Sequence, residues 1–294
     1  MTGLSSGPGF MIWLWLVLAA APPAQASPGI SVSISGLHPR QGEILELRII
    51  DDRVTRVSGA KREKNFFFFP VPERKGEWLA LVPFDLEDRP GDYPLGITLW
   101  TSAGQEERKE IMVTLARGQF GRSELRLPEG QVNPPEEERA KIAAERALLN
   151  EVFGKVSPEI QITGRFLLPF PGFHGVSFGE ERILNGVKRS PHSGLDCGAR
   201  EGTSVSASNT GTVVLARHLY FEGNTVIIDH GLGIFTLYLH LKALAVAEGR
   251  KVERGELIGW VGHSGRGTGP HLHFGAKILG ERVDPNQLLN LSFD

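Results

Sequence analysis

Apolar and polar residues alternate along this chain in short runs, a period of two that suits a strand buried on one face and no helix. Ile30, Val32 and Ile34 alternate with serines, and Leu45, Leu47 and Ile49 alternate with Glu46 and Arg48. The pattern returns at Leu95, Ile97 and Leu99 and at Ile111, Val113 and Leu115. Turn formers separate the runs: His38-Pro39, Arg89-Pro90-Gly91-Asp92 and Ser102-Ala103-Gly104. Short strands at this spacing predict a small, immunoglobulin-like β-sandwich over residues 27–118. The Phe66–Phe69 run reads as a strand buried on both faces rather than an aromatic ligand patch.

Residues 119–160 read as a linker carrying a helix. Asn133 is its expected N-cap, Pro134 its first residue, and Glu136 and Glu137 complement its positive end. Ala144, Leu148 and Val152 give one apolar face, and the helix is expected to end near Phe153-Gly154. From residue 161 to 294 strands return, at Thr212–Ala216, Asn224–Asp229, Phe235–His240 and Glu256–Val261. No long helical pattern interrupts them, so a mainly antiparallel sheet is expected.

Composition narrows the function. Apolar residues are 40% and charged residues 22%, as in ordinary globular proteins. Lys+Arg total 32 against 34 Asp+Glu, so no basic excess points to nucleic acid. One cysteine excludes an intrachain disulfide framework and any multi-cysteine metal site. The uncharged segment Phe10–Ala21, followed by Pro22-Pro23 and Ala24-Gln25-Ala26, predicts a signal peptide over 1–26 and export to the periplasm or beyond the cell. No Lys or Arg precedes the apolar stretch, so an uncleaved N-terminal anchor is the alternative.

Seven of the nine histidines lie between His192 and His273. They include an H-x-x-x-D (His192 to Asp196), His240 at the end of a predicted strand, and the H-x-H of His271 and His273. Strand alternation puts His271 and His273 on one face with Leu272 and Phe274 behind them. The same rule puts Tyr238 beside His240 and opposite Leu237 and Leu239. Two imidazoles and a carboxylate can hold zinc and leave one position for water, the pattern of a catalytic site. Such an ion lowers the pKa of its water to roughly 7, and further histidines can move protons.

Four segments, in this order, make the C-terminal half similar to the lysostaphin/LytM-type zinc metallopeptidases: Ser190–Asp196, Gly223–Gly231, Thr236–Leu241 and Thr268–Phe274. The likeness runs from about Gly164 to Leu289 and implies that family's antiparallel β fold, the duplicated hybrid motif. It implies one zinc ion held by His192, Asp196 and His273, with His271 and His240 as the catalytic histidines. It also implies the substrate, peptide bonds in peptidoglycan cross-links or stem peptides, and a cell-envelope location. Many relatives carry Glu or Gln where this chain has Gly275. The N-terminal part looks like the accessory sandwiches of some members and is a place where other cell-wall proteins could bind.

Other features read more plainly. His230 is expected to be structural, Cys197 a small buried hydrophobe, and His218 and His263 exposed loop residues. Gly175–Gly179 matches G-x-S-x-G but lacks the strand–turn–helix context of a serine nucleophile. An inactive regulator of another wall hydrolase is the alternative function, and the full set of five site residues argues against it.

Overall fold

The computed structural model describes residues 29–71, 74–188, 191–291 and 293; the predicted signal segment, 1–26, lies outside them. Strands β1 (Val32–Ile34), β2 (Ile44–Ile50), β3 (Val54–Lys61), β4 (Lys64–Phe66), β5 (Phe68–Pro70), β6 (Glu77–Pro83), β7 (Gly91–Thr101) and β8 (Glu106–Leu115) build two four-stranded sheets. Their orders are β1-β2-β6-β5 and β4-β3-β7-β8, every pair antiparallel. The alternating residues of β2 and β7 are buried, with at most 1% of the surface of Leu47, Ile49, Leu95, Ile97 and Leu99 exposed, whereas Val32, Ile34 and Ile111 are only half-buried. The Phe66–Phe69 run is not one doubly buried strand. It carries the chain from one sheet to the other, and Phe67, at the break, is 40% exposed.

β9 (Arg122–Leu125), α1 (Glu129–Val132) and α2 (Glu136–Gly154) follow. Asn133 does not cap α2; its N–H donates to the Glu129 carbonyl (2.8 Å) and closes α1 instead. The Pro134-Pro135 pair holds the chain extended and delays the helix, whose N-cap is Pro135. Glu136, Glu137 and Glu138 fill its first turn, as expected. Ala144 is exposed, so the buried face is narrower than the spacing suggested. Leu148, Leu149, Val152 and Phe153 pack on Leu215, Leu219, Ile227 and Phe235.

The C-terminal strands are β10 (Glu181–Leu184), β11 (Val187–Lys188), β12 (Gly194–Gly198), β13 (Ser204–Ser206), β14 (Gly211–Leu219), β15 (Gly223–Asp229), β16 (Ile234–Leu244), β17 (Lys251–Val252), β18 (Leu257–Val261), β19 (His271–Ile278) and β20 (Glu281–Val283), before α3 (Pro285–Asn290). The backbone of this half is an antiparallel sheet in the order β12-β19-β16-β15-β14-β17. β9 pairs in parallel with β10, so the connector adds a strand here and is more than a spacer.

The sandwich is fixed to this sheet rather than tethered. Ile44, Phe69, Leu79 and Leu81 share one apolar cluster with Ile234, Ile278, Val283 and Leu288. Arg282 makes a two-pronged ion pair across the junction with Asp85 (2.5 and 3.1 Å) and reaches Glu87 (2.8 Å).

Candidate active site

β12 lies antiparallel beside β19, with Asp196 opposite His273 and Gly198 opposite His271. Leu272 and Phe274 are fully buried in the core, so the alternation turns His271 and His273 to the other face. Gly194 makes room for them: a Cβ there would stand 2.6 Å from His273 Nε2.

His192 precedes β12. Its Nε2 lies 2.9 Å from His273 Nδ1 and 3.0 Å from Asp196 Oδ1, and His273 Nδ1 lies 2.9 Å from the same oxygen. Adjacent ligands of tetrahedral zinc, with bonds of 2.0–2.2 Å, stand about 3.3 Å apart, so this triangle needs little opening to hold the ion. The donor chemistry fits as well. His192 Nδ1 donates to the Ser177 carbonyl (2.9 Å), which leaves Nε2 as an acceptor facing a carboxylate. That arrangement needs a cation or a proton between the two. Burial works against a proton on the neighbour: it lowers His273 to about 4, with Asp196 opposing. Burial also opposes charge on Asp196, but its close pairing with His192 and His273 outweighs it and holds the carboxyl well below the usual range.

His240 arrives by a different route from the one alternation predicts. Tyr238 is buried in the core against Phe274, whereas His240 faces the cavity. Between the pairs Asn224–Leu241 and Val226–Tyr238, β16 carries one more residue than β15. This bulge is completed by a left-handed His240 (φ +63°), a conformation that a non-glycine residue adopts at a cost. His240 Nδ1 donates to the Ser264 carbonyl (2.9 Å) and His271 Nδ1 to that of Gly269 (2.8 Å). Each Nε2 is therefore an acceptor, and the two rings lie 4.7 Å apart. Burial first, then His273 and His271, push His240 down to about 3, so it is neutral at physiological pH.

The structure thus brings all five expected residues together, and two more that the sequence did not single out for this purpose. Arg182 on β10 donates to Asp196 Oδ2 (2.6 Å). Ser177, the serine of the G-x-S-x-G match, has φ +74°, aims its carbonyl at His192 and is followed by β10 rather than a helix. Cys197 points into the core; His263 is exposed in a loop, and His218 is exposed on β14 rather than in a loop. His230 is wholly buried, donating from Nδ1 to the Thr210 carbonyl (2.8 Å) with Nε2 2.8 Å from Thr236 Oγ1.

Fold and site bring together two histidines and a carboxylate that could hold a metal ion, flanked by two more histidines on an antiparallel sheet. Residues 190–285 match the model of peptidase family M23, and the chain carries a peptidase M23 domain there. DD-carboxypeptidase/endopeptidase Mpg of Neisseria meningitidis is 48% identical over 94 residues, 32% of this chain and 22% of that protein. Peptidoglycan DD-endopeptidase ShyA of Vibrio cholerae is 42% identical over 109 residues, 37% of this chain and 25% of that protein. The chain thus spans about a quarter of the length of these relatives. A Pseudomonas aeruginosa crystal structure described as a candidate M23 peptidase superposes with a TM-score of 0.65 at 26% identity. That likeness covers 85% of this chain and 95% of the other, so it extends beyond the peptidase domain.

Proposed function

We propose that the chain is a zinc-dependent endopeptidase that hydrolyses peptide bonds in the cross-links or stem peptides of peptidoglycan, with one zinc ion on His192, Asp196 and His273. The observation that carries this reading is the triangle of His192 Nε2, Asp196 Oδ1 and His273 Nδ1, with two further imidazoles held as acceptors beside it. The names of the Neisseria and Vibrio relatives support the substrate. Zinc bound there supplies a Lewis acid and lets water ionise near neutral pH. His271 and His240, each pinned through Nδ1, can only take protons at Nε2 in the resting site. Having taken one, either becomes a donor to the developing oxyanion or to the leaving nitrogen. The complete set of five groups speaks against an inactive regulator.

We read residues 27–118 as an accessory sandwich, immunoglobulin-like in its strand order, 119–160 as a connector, and 161–294 as the peptidase domain. A wall substrate and the apolar segment Phe10–Ala21 with its Ala24-Gln25-Ala26 site favour export to the cell envelope. Incubating purified peptidoglycan with the chain tests the reading. Solubilisation that stops with chelator and returns with zinc supports it; solubilisation indifferent to chelator refutes it.

A further inference from the structure

The site opens into a cavity of about 640 Å³, one wall of which is the connector rather than the M23 domain. α2 presents Arg139 and Arg146 to it, and the opposite side presents Arg182 and Arg266. Arg182 is committed to Asp196. Arg139 pairs with Glu136 at the exposed edge, and Arg266 stacks on Phe221 with its guanidinium 4.5 Å from the ring centre. The Arg146 guanidinium makes no hydrogen bond or ion pair among the described residues, and Glu222 feels its charge. Among the described residues that line the cavity the one carboxylate is Glu222, and burial pushes its pKa up, which weakens it as a counter-charge. Beside Asp196 and His271 a smaller cavity is lined by Leu125, Leu127 and Leu184 together with Arg182 and Arg266. Positive charge therefore faces the main cavity both from α2 and from the opposite side.

Resting on the proposed peptidase reading, we infer that Arg146, with Arg139 and Arg266, forms a recognition subsite for free carboxylates of an acidic substrate peptide. A guanidinium that lines the cavity without a hydrogen-bonded carboxylate offers paired N–H donors that match one. α2 is seated on the sheet through two contacts: Glu145 accepts from the Tyr220 N–H (2.9 Å), and Phe153 packs edge-on against Phe235. The connector then determines specificity, and neutral peptides are disfavoured.

The test uses the full chain and two forms of one cross-linked stem peptide, with its carboxylates free or amidated. Binding is read by calorimetry on His240→Ala and hydrolysis on the otherwise unchanged chain. The acid form should bind about fivefold or more tightly than the amidated form, with the difference shrinking at high salt. Arg146→Ala should raise KM for the acid form by about fivefold, leave kcat and zinc content unchanged, and leave the amidated form unaffected. Arg146→Lys should restore part of the loss. Equal binding of both forms overturns the subsite even if hydrolysis proceeds. Arg146-dependent binding of the acid form without hydrolysis keeps the subsite and overturns the peptidase reading. Faster turnover of both peptides by Arg146→Glu would make α2 a lid and also overturn the subsite.

Discussion

Arg182 donates to Oδ2 of Asp196 at 2.6 Å, so the other oxygen, Oδ1, alone faces His192 and His273. One carboxylate is thus divided between an orienting cation and a metal position. Arg182→Met should keep the fold and lower zinc affinity by about 10–100-fold, the usual scale for a group that orients a ligand. Competition with a chelator of known affinity checks this. An unchanged zinc affinity would show that Asp196 needs no such support.

His192→Ala, Asp196→Ala and His273→Ala each remove one of three protein ligands, so each should lower zinc content and abolish hydrolysis. Metal analysis of the three purified variants decides the matter. Full occupancy in all three would sink the ligand assignment.

His240→Ala and His271→Ala should behave differently, because both rings hang from backbone carbonyls rather than from the ligand triangle. Most of the zinc should remain while hydrolysis falls by ~10²-fold or more in each. The double variant should lose less than the product, since both groups serve one proton transfer. If His271→Ala loses zinc while His273→Ala keeps it, the order within the H-x-H is reversed.

His230 gives a stability test away from the site. Burial lowers it from 6.5 to about 4, so the folded state holds it neutral between Thr210 and Thr236. Unfolded chains take up a proton near pH 6.5 and folded ones only near 4. Stability is therefore complete above pH 6.5 and falls as pH drops towards 4, by about 3 kcal/mol at most. Urea midpoints at pH 7.5 and 4.5 should separate more for this chain than for His230→Gln, which cannot titrate. Equal separations would remove His230 from the account.

Much of this was legible because strands write their burial into every second residue. Leu47, Ile49, Leu95, Ile97 and Leu99 are core, and Leu272 and Phe274 back the H-x-H, as that rule requires. The rule failed where the backbone stops being regular. The bulge at His240 reverses the side on which alternation places it, and no local residue type announces a left-handed histidine. Arg182 was invisible because an arginine in Glu181-Arg182-Ile183-Leu184 looks like any surface charge until β10 meets β12 in space. The arginines of α2 were hidden likewise, since their helix folds back over a groove that begins some forty residues later in the chain.

Mass spectrometry of the fragments released from purified peptidoglycan tests the central claim most directly. Zinc-dependent scission of peptide bonds is expected, each adding one water, with the glycan strands intact and with release by His240→Ala lower by ~10²-fold or more. Glycan cleavage, or release undiminished in His240→Ala, would contradict it.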